Sequence, residues 1–199
     1  MNRTIKFFKT GFLTASMSLI TSNAFSSGIF SGTIDTDITK NKENAVVYLK
    51  DVKGVVVTQK AVVDMNKMSF TPKVTAIPVG STVTFNSYEK LEHNIYSISA
   101  AKKFRLNTYN TGVSTSIVFD KPGVVQLLCS CHPDMLAWVI VGKNQYAAVT
   151  DHDGKFSIPN VPAGTYEIGL WSRQLSLKEK TTVTVTDGET APVVLKTIN

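Results

Sequence analysis

Seven consecutive residues, Cys129 to Met135 in the stretch CSCHPDM, hold both cysteines of the chain, one of its three histidines and one of its five methionines. The spacing C-x-x-H-x-x-M lets a short loop turn a thiolate, an imidazole and a thioether toward one point. The residues before it, Gly123-Val-Val-Gln-Leu-Leu, alternate so that Val125, Leu127 and Cys129 share one face and Gln126 the other. Cys129 therefore ends a strand pointing into a core. A fourth donor comes from His93 in LEHNIYSIS, at the start of another strand after an irregular turn. Two imidazoles, one thiolate and a weak thioether make up a donor set that suits copper, the soft sulfurs holding Cu(I) and the imidazoles also Cu(II).

Other readings of the same residues stay open at this point. A buried structural cysteine is common. A zinc site from Cys129, Cys131, His132 and His93 is formally possible, although C-x-C-H is not a usual zinc spacing. A cysteine nucleophile paired with histidine lacks a recognisable surrounding motif. A Cys129–Cys131 disulfide is disfavoured by geometry. An extended chain rising about 3.3 Å per residue sets their Cβ atoms roughly 6–7 Å apart, against the ~3.8 Å a disulfide requires. His152, in the turn DHDG, reads as a solvated turn residue. Met65 and Met68 read as packing at a strand edge, and Phe85, Trp138 and Trp171 as core. Glu89, Glu92, Asp134, Lys102 and Lys103 are charges that could flank the site.

The elements that must position these donors are strands. After residue 24 the chain runs through short segments rich in Val, Thr, Ile and Phe, at 28–34, 45–50, 55–64, 69–77, 81–86, 93–98, 114–119, 124–129, 136–141, 145–150, 155–159, 165–171, 178–186 and 192–198. Turn signals such as Pro122-Gly123, Asp153-Gly154 and Asp187-Gly188 separate them. The stretch 99–113 is the least regular and reads as a loop. The fold class is all-β.

Residues 1–24 read as a secretory signal, with Arg3, Lys6 and Lys9 before a short apolar stretch and Ser22-Asn23-Ala24 at the cleavage point. The apolar stretch is shorter than a membrane span of about 20 residues, so no span is expected after removal. Export implies the periplasm. The formal charge of +6 falls with the signal, which carries three of the 21 basic residues and no acid, leaving 18 against 15 acids, or +3. With no arginine cluster, that balance gives no support to nucleic-acid binding.

From FTPKVTAIPVGSTVTFNSYEKLEHNIYS to FDKPGVVQLLCSCHPDM the chain resembles a cupredoxin of the plastocyanin and amicyanin type. The resemblance implies a Greek-key β-sandwich at 54–144 with one type 1 copper. Carried over, His93, Cys129 and His132 would be equatorial ligands and Met135 the axial one. Asn94 matches the residue whose hydrogen bonds tie the two ligand loops, and Cys131 stands where the family usually has no thiol. The flanks, GTIDTDITKNKENAVVYLKD with YAAVTDHDGKFSIPNVPAGTYEIGLWS and TVTVTDGETAPVVLK, resemble a carboxypeptidase regulatory-like, transthyretin-like β-sandwich. That implies a discontinuous outer domain, 25–53 and 145–199, with a tandem arrangement split near residue 143 as the alternative. The combination is similar to bacterial proteins labelled methylamine utilization proteins.

The resemblance implies a periplasmic electron carrier with a transient redox protein as partner and no enzymatic activity. Electrons would pass through the edge of His132, with Pro133, Leu136 and Ala137 as apolar contacts. Multicopper enzymes need further histidines, and only His152 is left over. Copper storage, delivery or sensing by a binding module is the alternative.

Overall fold

The computed structural model describes residues 26–37, 42–109, 111–188 and 190–198; the signal reading at 1–24 lies outside them. Every regular element among them is a strand. In chain order they are β1 (Ser27–Asp35), β2 (Val46–Leu49), β3 (Lys60–Asn66), β4 (Ser69–Thr71), β5 (Val74–Pro78), β6 (Ser81–Ser87), β7 (His93–Ser99), β8 (Lys102–Tyr109) and β9 (Ser114–Phe119). There follow β10 (Gly123–Leu128), β11 (Leu136–Gly142), β12 (Ala147–Val149), β13 (Lys155–Pro162), β14 (Gly164–Trp171), β15 (Ser176–Leu177), β16 (Thr182–Val185) and β17 (Thr190–Ile198).

Four sheets form two sandwiches. The inner sandwich packs β5-β11-β10-β7-β8 against β4-β3-β6-β9. Its core joins Val63, Met65, Val83, Phe85 and Phe119 to Ile77, Ile95, Val125, Leu127 and Val139. The outer sandwich packs β13-β1-β17-β15 against β12-β2-β14-β16, around Phe30, Ile34, Phe156, Ile158 and Leu195 facing Val47, Leu49, Ile168 and Val183. The first two strands thus pair with strands after residue 145: β1 lies between β13 and β17, and β2 between β12 and β14.

Period-two alternation explains why some strands read as unbroken apolar runs. In β11, Ala137, Val139 and Val141 enter the inner core while Trp138 and Ile140 enter a third apolar cluster between the sandwiches. In β2, Val47 and Leu49 face the outer core while Val46 and Tyr48 face that same seam. Both strands are covered on both faces. Gly169 of β14 has no side chain because the Tyr48 ring lies against it, and an added Cβ would strike that ring. Trp138 and Trp171 meet across the seam at 6.0 Å between ring centroids, and the Arg173 guanidinium sits 4.6 Å over Trp138. The two tryptophans are seam residues, half-buried, rather than core; Phe85 is fully buried.

Three sequence expectations need correction. The stretch 99–113 is not a loop, because β8 pairs antiparallel with β7 from Ser99↔Lys102 to His93↔Tyr109. Phe104 and Leu106 pack against the inner core between exposed Lys103, Arg105 and Asn107, an alternation hidden by the polar composition. The strand expected at 55–64 begins only at Lys60; Val55 and Val57 before it are 87% and 61% exposed. Lys102 and Lys103 start β8 beside Ser99 and Ile98, six and five residues along β7 from His93, so they do not flank the site.

Thr150 ties the early and late segments of the outer sandwich. Its hydroxyl accepts the Ala45 N–H at 3.0 Å and donates to the Lys42 carbonyl at 2.6 Å, and Thr150 N–H donates to the Ala45 carbonyl at 2.8 Å. Thr150→Val keeps the shape but strands the buried Ala45 N–H, at a cost of about 1–3 kcal/mol. Urea denaturation is expected to show that loss as a lowered midpoint with an unchanged slope.

Candidate metal centre

β10 and β11 form a hairpin closed by the pair Leu128↔Leu136, so the intervening seven residues leave and re-enter the same sheet edge. Cys129 continues the inward face of β10 and is 4% exposed. Met135 N–H donates to the His132 carbonyl at 3.0 Å, a β-turn that folds the loop back. That turn leaves Met135 fully buried in the core cluster that also contains Cys129. β7 joins the edge through Leu128↔Tyr96. A register shift between His93 and Ile95 re-aims the first residue of β7.

The outcome is a convergence of donors. His93 Nδ1 and His132 Nδ1 face each other at 3.1 Å, and Cys129 Sγ lies 4.0 Å from His132 Nδ1. All three donor atoms lie within 4.8 Å of one another. Metal–nitrogen bonds of about 2.0–2.1 Å set two nitrogens about 3.3 Å apart at a tetrahedral angle, close to the separation seen. His93 is fully buried, and its Nε2 lies 3.3 Å from Glu89 Oε2. Donation to that carboxylate puts the ring proton on Nε2 and leaves Nδ1 as a bare lone pair. That lone pair faces His132 Nδ1 at 3.1 Å, where either a proton on His132 or a bound cation completes the contact. A His₂Cys donor set, with the Met135 thioether buried in the same core cluster as Cys129, fits copper.

Two further contacts hold the arrangement. Asn94, next to His93, accepts the Ser130 N–H at 2.8 Å through Oδ1, and its amide nitrogen donates to Ser130 Oγ. This pair of hydrogen bonds clips the loop carrying His93 to the loop carrying Cys129. Glu89 does more than contribute charge at the rim. Besides meeting His93, its Oε1 accepts the Met68 N–H at 2.8 Å, and its carbonyl accepts the Thr111 hydroxyl at 2.7 Å. Sequence reasoning saw only a flanking charge there; the spacing of four residues ahead of a histidine was the available signal.

The remaining candidates fall away from this point. Both cysteines are free, and Cys131 is exposed and outside the converging group. His152 is exposed and pairs with Asp153 at 3.1 Å, within an exposed Asp151–His152–Asp153 group. Met65 is core, and Met68 sits exposed in the β3–β4 turn. Glu92 and Asp134 are exposed.

Residues 57–142 match the family model for copper binding proteins of the plastocyanin/azurin family. A purple cupredoxin from Nitrosopumilus maritimus is 31% identical, covering 41% of this chain and 99% of that one, with a TM-score of 0.37. The chain belongs to the cupredoxins through this domain. The cupredoxin sandwich is also similar to a copper-containing nitrite reductase from Thermus scotoductus SA-01, at 27% identity and a TM-score of 0.40. That match covers 48% of this chain but only 25% of the reductase. A Cu(I) amicyanin variant is 21% identical over 48% of this chain and 98% of its own, with a TM-score of 0.40. Residues 132–193, mostly in the outer sandwich, match a model described as polysaccharide lyase family 4, domain II. No curated protein matches the chain.

Contacts that orient a ligating histidine typically matter roughly 10–100-fold in metal affinity. Glu89→Ala is expected to weaken copper binding to the cupredoxin domain by that factor in a competitive chelator titration. Glu89→Gln, which keeps an acceptor oxygen, should lose less, and exposed Glu92→Ala should leave affinity unchanged.

Proposed function

We propose that the protein is a periplasmic electron carrier that works through a single type 1 copper. His93, Cys129 and His132 hold the ion equatorially, with Met135 on the axis. The observation that carries this reading is the convergence of two Nδ1 atoms and a thiol sulfur from two loops clipped together by Asn94 and Ser130. When bound, copper in such a donor set supplies a one-electron couple in a geometry that suits both oxidation states.

The protein's own residues would do the rest. The β10–β11 hairpin and the Asn94–Ser130 clip hold the donors in place, so little rearrangement accompanies a change of charge. His93 is fully buried whereas His132 is half-buried, so the His132 ring edge is the route between the site and the surface. Exposed Pro133 and half-buried Leu136 border that route; Ala137, expected there as an apolar contact, is 1% exposed and belongs to the core. A small apolar rim suits a transient redox partner with a small interface. The one remaining histidine, His152, lies on the surface of the outer sandwich, which supports a carrier rather than a multicopper enzyme.

Export would follow from the signal at 1–24. The outer unit, 25–53 with 145–199, would be a discontinuous sandwich of the carboxypeptidase regulatory-like type enclosing the copper domain at 54–144. Its sheets, which mix strands from both ends of the chain, support this division.

The test is spectroscopic. Addition of Cu(II) to the exported chain should give an intense visible thiolate-to-copper band that Cys129→Ser abolishes and Cys131→Ser retains. A colourless protein that takes zinc in preference would refute the copper reading. Stopped-flow electron exchange then separates a carrier, with fast exchange, from a copper store.

A further inference from the structure

The two sandwiches leave a cleft of about 430 Å³ along their seam. Val46, Tyr48 and Trp171 line it from the outer sandwich, and Val124, Ile140 and Val141 from the cupredoxin. Its volume and its place between two folded units are those of small-molecule sites. The walls are mainly hydrocarbon and indole, and offer few of the polar partners that buried water requires. The floor is fixed: buried Asn144 donates to the Leu49 carbonyl at 2.9 Å and accepts the Tyr146 N–H at 2.9 Å. Its amide is therefore committed to holding the two sandwiches in register.

The rim is cationic. Lys50 pairs with Glu167, but that carboxylate also takes Lys180 at 2.7 Å. Lys143 lines the cleft, is exposed, and has no hydrogen-bond or ion-pair partner among the described residues. Among the residues that line the cleft, Lys50 and Lys143 thus stand against Asp51, one positive charge in excess.

We propose that this cleft binds a small apolar anion, a ring or short chain bearing one carboxylate or sulfonate. Its hydrocarbon lies against Ile140 and Trp171, and its head group meets Lys143. The site is separate from the Cys129 loop and does not rest on the copper reading.

Anilinonaphthalene sulfonate is a suitable probe of the full chain, because Trp171 in the cleft wall can excite it by energy transfer. Phenylnaphthylamine, a closely related uncharged ring system, serves as the control. Saturable one-site emission excited through tryptophan is expected. Lys143→Glu should weaken it at least about threefold, the scale of one exposed ion pair removed, and should leave the neutral probe unaffected. Ala147→Phe and Val124→Phe fill the cleft from opposite walls and should each abolish binding. Circular dichroism identifies a filler that fails to fold, and the other then decides. Absence of saturable emission, or emission that survives a folded filler, overturns the site. Equal binding of the two probes with no effect of Lys143→Glu overturns the anion.

Discussion

Two imidazole nitrogens 3.1 Å apart, with a sulfur close by, form an encounter that requires a shared proton or a shared cation between them. Copper would take the place of that proton, and much of the cupredoxin sandwich serves to hold the two rings together. Glu89 pins the proton of His93 on the far ring nitrogen. Asn94 and Ser130 bind the two loops so that neither can retreat independently. The turn from His132 to Met135 closes the third side and buries the thioether. Polar groups buried in this way are costly unless satisfied, so the Glu89 contact stabilises the buried His93 ring as well as orienting it.

How much of this was legible in the sequence follows from how local each part is. Cys129, His132 and Met135 could be read because they lie on one loop, and the alternation leading to Cys129 fixed its direction. His93 could be read because histidines are few and this one opens a strand. The Asn94–Ser130 clip was foreshadowed only by family resemblance, since no pattern in the chain itself pairs residues 36 apart. Glu89 escaped because its one signal, an acid four residues ahead of a histidine, does not fix where a carboxylate points in a loop. Strand β8 escaped because its lysines and asparagine outweighed Phe104 and Leu106, although the alternation was there to count.

The seam was the least legible feature. Trp138, Trp171 and the run Ala45-Val-Val-Tyr-Leu49 look like ordinary core residues, because a sequence does not say which of two cores a side chain enters. The structure divides them by parity. Odd and even positions of β2 and of β11 go to different clusters, so each strand belongs to a sandwich on one face and to the seam on the other.

That parity has a mechanical consequence. β11 begins directly after Met135, and its next outward residues, Trp138 and Ile140, are those held by Trp171, Arg173 and Val46 of the other sandwich. The loop that carries Cys129 and His132 is thus anchored at its C-terminal end by a strand with no free face. A strand packed on both sides cannot slide or twist without breaking two sets of contacts, since close-packed interiors transmit displacement rather than absorb it. The outer sandwich therefore contributes to the centre through rigidity. It contributes no donor to the converging group, yet it fixes the strand from which the loop is hung.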